Sequence, residues 1–154
     1  MLKVARVLMA GAAILWAGSA LAQEPKATPA QAKALLDKAV AELKMDGPEK
    51  AFAQFNDPKS GYTIGELYVF VFDMKGKYEA SGGNSKLVGT DAHDLHDAEG
   101  KYLVQEMIAL AKSKGSGRVD YVWLNRADNH VEKKRSLIQR VDGHIVGVGY
   151  YLDQ

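Results

Sequence analysis

The chain contains no cysteine, which excludes disulfides, thiolate metal sites, cysteine nucleophiles and c-type haem attachment, and leaves stability to packing. An excess of one charge sign is missing too. Lysine and arginine number 20 against 19 aspartates and glutamates, and setting aside Lys3 and Arg6 leaves 18 against 19, without the basic surplus of a nucleic-acid binder. After Ala22 no stretch stays apolar for the ~20 residues that a membrane-spanning helix needs. Nor is there a GxSxG elbow, a P-loop or a dinucleotide fingerprint, so enzyme classes with a local signature are excluded and no cofactor is implied. A catalytic carboxylate pair leaves no such mark.

What is present begins with a leader. Lys3 and Arg6 precede an apolar run of about a dozen residues that ends in the small-residue pattern Ala20-Leu21-Ala22, so residues 1–22 read as a signal peptide and Gln23 as the mature N-terminus in the periplasm. The alternative is an uncleaved anchor, for which the run is short. In a chain of 154 residues with 47% hydrophobic content, residues 23–154 suffice for one core and one domain.

The element that organises this domain is Gly117 to Asn125. Val119, Tyr121 and Trp123 fall on one face of an extended segment and Asp120, Val122 and Leu124 on the other, so both faces ask for cover. Upstream, Thr28, Pro29 and Gln31 form a helix start with a capping-box partner. That helix is expected to run to about Met45, with Ala32, Leu35, Leu36, Ala39, Val40 and Leu43 as its apolar stripe. Asp46 to Pro48 breaks it, and a second short helix through Phe55 buries Phe52 and Phe55. Glu66 to Asp73 is the strongest strand, with a turn at Gly76 leading to a shorter strand near Tyr78 to Ser81.

Gly82 to Gly100 reads as a long loop over the sheet, of a length that is usually functional. Asp97 is expected to cap a helix from Ala98 to about Lys114, and strands at Gly117–Asn125, Val131–Val141 and His144–Leu152 complete the chain. The fold class is α+β: a long N-terminal helix on a five-stranded antiparallel sheet, with a loop-plus-helix layer over the other face, a PAS-like arrangement.

The runs LYVFVFDMKGK, GGNSKLVGTDAHDLHDAEGK, GRVDYVWLN, KKRSLIQRVDG and IVGVGYY, in that order and spacing, resemble the single Cache domain of bacterial extracytoplasmic sensors. The resemblance implies a PAS-like module that binds small molecules, commonly short organic acids, between the sheet and the loop-plus-helix layer. It is similar to the outer part of a chemoreceptor or kinase, yet the sequence shows no signalling domain after the last strand, so a stand-alone periplasmic binder is expected. The resemblance implies a carboxylate-like ligand as partner, and the apolar Thr28 to Met45 helix adds a second copy of the chain or a membrane receptor as expected partners. A protein-interaction module with no working pocket is the competing reading.

A small carboxylate needs a fixed cation and a wall that excludes water. Lys134 lies mid-strand, where an inward ammonium is costly without an anionic partner, and the resemblance implies that a lysine here, two residues before a serine, contacts the acid. Alternatively Lys133 to Arg135 is a solvated edge. Tyr121 and Trp123 are expected to form the wall, although strand aromatics are more often plain core. Tyr68 and Tyr150 are weaker candidates of the same kind. Gly147 and Gly149 leave room on the last strand for a ligand, a backbone or Trp123. His93 is expected at the pocket. His93 and His96 among Asp91, Asp94 and Asp97 raise a metal reading, but without an HExxH helix, a thiolate or an EF-hand pattern no metal is expected.

Overall fold

A computed structural model describes residues 25–153, so the leader and its cleavage point lie outside the described residues. The helix α1 spans Pro29–Asn56. It begins where the sequence requires: the Thr28 hydroxyl accepts from the Gln31 N–H at 3.2 Å, and the Gln31 side-chain oxygen accepts from the Thr28 N–H at 2.8 Å. All six positions of the expected stripe are buried. The expected break appears as a kink at Gly47, whose φ of 79° and ψ of 170° lie outside helical space, followed at once by Pro48. Beyond the kink Phe55 is fully buried. Phe52 is only half-buried, its ring set edge-on to His144 at 5.3 Å.

The strands are β1 (Thr63–Ile64), β2 (Leu67–Asp73), β3 (Tyr78–Ser81), β4 (Ser116–Asn125), β5 (His130–Val141) and β6 (His144–Tyr151). They form one antiparallel sheet in the order β1-β2-β6-β5-β4, with β3 also paired to β2. The sixth strand, absent from the sequence reading, is the two-residue β1, too short to carry a pattern. Helix α2 spans Leu103–Ser113.

Two layers sandwich the sheet. On one face α1 packs against Leu67, Val69, Val71, Val146, Val148 and Tyr150. On the other, α2 and the loop before it cover Phe70, Phe72, Tyr78, Val119, Tyr121, Ile138 and Ile145. Because β2 is buried from both sides, its sequence shows no alternation of polarity. The expectation that both faces of β4 are covered fails on one side. The helix α1 packs on β2, β3, β5 and β6, leaving Leu124 of β4 and its partner Val131 of β5 exposed.

The start of α2 also differs from expectation, and the reason is Asp97. Instead of capping a helix, Asp97 accepts from the Glu99 and Lys101 N–H groups at 2.9 and 2.8 Å through one oxygen, and from the Val122 N–H of β4 at 3.0 Å through the other. Residues 97–101 close into a turn in which Gly100 takes a φ of 83°, so no helix can begin until Leu103. The Lys101 ammonium meanwhile donates to the Asp120 carbonyl. Two outward-pointing backbone groups of the edge strand are thereby satisfied by side chains.

On β6 the two spaced glycines are filled by neighbours other than Trp123. A Cβ at Gly147 would stand 2.2 Å from the Phe70 ring, and one at Gly149 would stand 2.5 Å from Lys134 Cε. Gly147→Ala is expected to destabilise the fold by about 1–3 kcal/mol through overpacking. The check is a lower urea midpoint at unchanged slope, and an unaltered midpoint would mean that the Phe70 ring can yield.

Candidate functional site

Antiparallel register brings the site together. Lys134 on β5 is paired with Tyr121 on β4 and with Tyr151 on β6, and Val69↔Val148 pairing sets Tyr68 of β2 across from Gly149. Since Gly149 has no side chain, the Lys134 stem lies across β6 and carries the ammonium to β2. There Nζ donates to the Tyr68 hydroxyl at 3.1 Å and sits 4.5 Å from the Tyr68 ring and 4.8 Å from the Tyr151 ring. Lys134 is 1% exposed. Among the described residues no carboxylate lies within 4.0 Å of its amine. A hydroxyl and two ring faces are weak compensation for a buried cation, so the site is electrostatically incomplete.

Beside this amine is a cavity of about 50 Å³, several times the ~10–15 Å³ that one water requires. Phe70, Phe72, Tyr78 and Tyr121 line it from the sheet, Leu103 and Met107 from α2, and Ser81, Asn84, Trp123 and Arg126 add polar edges. The Tyr121 hydroxyl bonds the Ser136 hydroxyl at 2.8 Å, and full burial pushes it well above the ordinary phenol range, so it stays protonated. Burial likewise pushes Tyr78 up to about 12. Arg126 donates to the Gly83 carbonyl at 2.8 Å, joining the β4–β5 turn to the loop after β3. The cavity can therefore offer neutral hydroxyls and one rim cation to an anion, with apolar walls for its tail.

Four of the expected residues converge: Lys134, Tyr68, Tyr121 and Trp123. Lys134 itself does not line the cavity, because Tyr68 stands between them. Two others are placed elsewhere. Tyr150 faces α1, on the side of Val146 and Val148, since alternation along β6 sends it away from Gly147 and Gly149. Tyr151 takes the position expected of it. His93 is half-exposed and outside the cavity, with its Nδ1 2.7 Å from Asp94. It is held there because the Ala92 N–H donates to the Gly76 carbonyl at 2.9 Å, pinning the loop to the β2–β3 hairpin. Among the described residues no three His, Asp or Glu side chains converge as metal ligands.

The family model for Single Cache domain 2 matches residues 2–154. The chain belongs to this family. A solved Cache neighbour, from work on carboxylic acid recognition by a Cache chemosensory domain, superposes with a TM-score of 0.62 at 26% identity over 79% of this chain and 86% of that one. The periplasmic sensor domain of a chemotaxis protein gives 0.63 at 26% identity, over 79% and 88%. Among full-length relatives, the methyl-accepting chemotaxis protein McpP of Pseudomonas putida is 32% identical over 88 residues, and the sensor histidine kinase MctS of Rhizobium johnstonii is 33% identical over 88 residues. Those matches cover 56% of this chain but only 16% and 19% of the relatives. The family and these neighbours are sensory modules, and the PAS-like α+β fold is theirs.

The residues that sequence reasoning missed divide by cause. Tyr151 follows from the parity of Gly147 and Gly149 on the same strand, so its signal was present. Ser136 follows from Lys134 in the same way. Arg126, Ser81 and Asn84 come from turns, whose approach to the cavity no periodicity encodes.

Proposed function

We propose that this Cache domain binds a short organic acid, with the Lys134 ammonium as its counterion. The observation that carries the reading is a lysine 1% exposed whose partners are a hydroxyl and two aromatic rings. A ligand carboxylate supplies the missing charge in a dry site, where such a pair is strong. It reaches the amine by displacing the Tyr68 hydroxyl, while Trp123 and Tyr121 wall the cavity and Met107 and Leu103 meet the tail. The neighbour studied for carboxylic acid recognition supports the ligand class.

The domain works as a sensing module outside the cytoplasmic membrane, together with a membrane receptor, after loss of the leader at Ala22. A second copy would meet the outward face of α1, where Lys33 and Asp37 pair at 2.6 Å. Mass spectrometry of exported protein is expected to place the N-terminus at Gln23.

The test of the ligand class is thermal shift against sodium salts of two- to six-carbon mono- and dicarboxylic acids at constant ionic strength. An acid at a hundred times its dissociation constant stabilises the fold by about 2.7 kcal/mol. The small cavity favours the shortest members. A complete panel without a shift removes the reading.

A further inference from the structure

We propose that Lys26 is a positioning residue for the acid site: while docked it occupies the Glu132 carboxylate, and when it lifts away Glu132 turns to Lys134 and competes with the ligand. The inference rests on Lys134 being the ligand's cation. It concerns the short segment before α1. There the Lys26 ammonium lies 2.9 Å from Glu132 Oε2 and 3.3 Å from the Leu152 carbonyl, and the Ala27 N–H donates to Glu66 at 2.7 Å.

Glu132 and Lys134 sit two residues apart on the same face of β5, about 7 Å along the strand, and both are buried, at 6% and 1% exposure. Tyr151 touches both environments. Its ring is 4.8 Å from the Lys134 amine, and its hydroxyl is pushed upward by burial first, then by Tyr68 and Glu66, and to a smaller extent by Glu132. Lys26 is the single cation within 4.0 Å of Glu132 among the described residues. Asp128 also neighbours Glu132: its carboxyl is held below the ordinary carboxylate value by the His130 N–H first and, after the opposing effect of burial, by Glu132.

The two halves of the Lys26–Glu132 pair are unequally held. The Lys26 side chain is 33% exposed and its Glu132 partner 5%, so a freed lysine regains water readily, and the cost of parting the pair falls on the buried carboxylate left behind. The nearest remedy is Lys134, which lacks an anion. Ligand carboxylate and Glu132 are then alternatives for one amine, and an acid that holds Lys134 returns Glu132 to Lys26. By linkage, acid binding tightens the Lys26 contact by the same factor as that contact tightens acid binding. Because Lys26 also holds the Leu152 carbonyl, occupancy of the cavity is read where the chain enters and leaves the domain.

The experiment is a double-mutant cycle read by calorimetry with sodium acetate, butyrate and succinate as probes. Lys26→Met is expected to weaken binding of the acids that the wild type takes by about 5- to 150-fold. Glu132→Gln alone binds at least as tightly as wild type, and Lys26→Met with Glu132→Gln recovers that affinity. Unchanged affinity in Lys26→Met, or a double variant as weak as Lys26→Met, overturns the proposal. A ligand-free arm separates this failure from failure of the acid reading. A crystal structure of Lys26→Met in acid-free buffer is expected to show Glu132 within ion-pairing distance, 4.0 Å, of the Lys134 amine, and Glu132 turned to solvent there overturns it whichever acids bind.

Discussion

Lys134→Met is expected to raise the melting temperature of the acid-free protein while erasing every acid-induced shift. The ammonium is buried with only the Tyr68 hydroxyl and the rings of Tyr68 and Tyr151 for company. Cation–π contacts return about 0.5–2 kcal/mol each, less than the several kcal/mol that removing an ion from water costs. Methionine has nearly the same length and can lie over Gly149 as the lysine stem does, filling the space without the charge. A gain of about 1–2 kcal/mol, or about 3–6 °C, is the expected outcome. The affinity change runs the other way: truncating one member of a buried charge pair costs about 2–5 kcal/mol, a loss of roughly 30- to 4000-fold. A variant that keeps its affinity, or whose unliganded form is markedly destabilised, removes Lys134 from the role given to it.

Asp97→Ala is expected to cost about 3 kcal/mol, the value of several backbone N–H groups that lose a charged acceptor. It should also change the acid limb of the stability curve. Burial pushes the Asp97 carboxyl upward, but the Val122, Lys101 and Glu99 N–H groups, with the Lys101 charge, outweigh it and hold the group below its ordinary value. A carboxyl depressed in the folded state stabilises the fold above the unfolded value of about 3.9. That stability disappears as pH falls through the lower folded value. Wild type should therefore lose stability below about pH 4, and urea unfolding of Asp97→Ala should show a shallower decline there. Parallel curves for the two proteins would assign the acid sensitivity to other carboxylates.

The sequence made most of the layering legible because both periodicities were clean. The stripe from Ala32 to Leu43 and the unbroken apolar run of β2 specify a helix and a strand covered on both sides. Lys134, Tyr121 and Tyr68 could be grouped because strand parity is strict once the pairing is guessed. Where the reading failed, the deciding contact was distant in the chain. Asp97 looked like a cap from its neighbours, yet one of its acceptors serves Val122, 25 positions away. His93 sat in a promising cluster, but the backbone pairing with the Gly76 hairpin holds the ring outside the cavity. Tyr150 was a parity error that Gly147 and Gly149 already contradicted.

The engagement of β4 by Asp97 and Lys101 bears on how molecules of this kind can associate. A bare strand margin is a template onto which a second polypeptide can knit itself. Here the midpoint of that margin is taken, with Val122 N–H and Asp120 C=O both satisfied from within the fold. Continuous growth of the sheet along β4 is interrupted at Asp120 and Val122, and loss of Asp97 is the change that should make concentrated samples prone to fibrous aggregation.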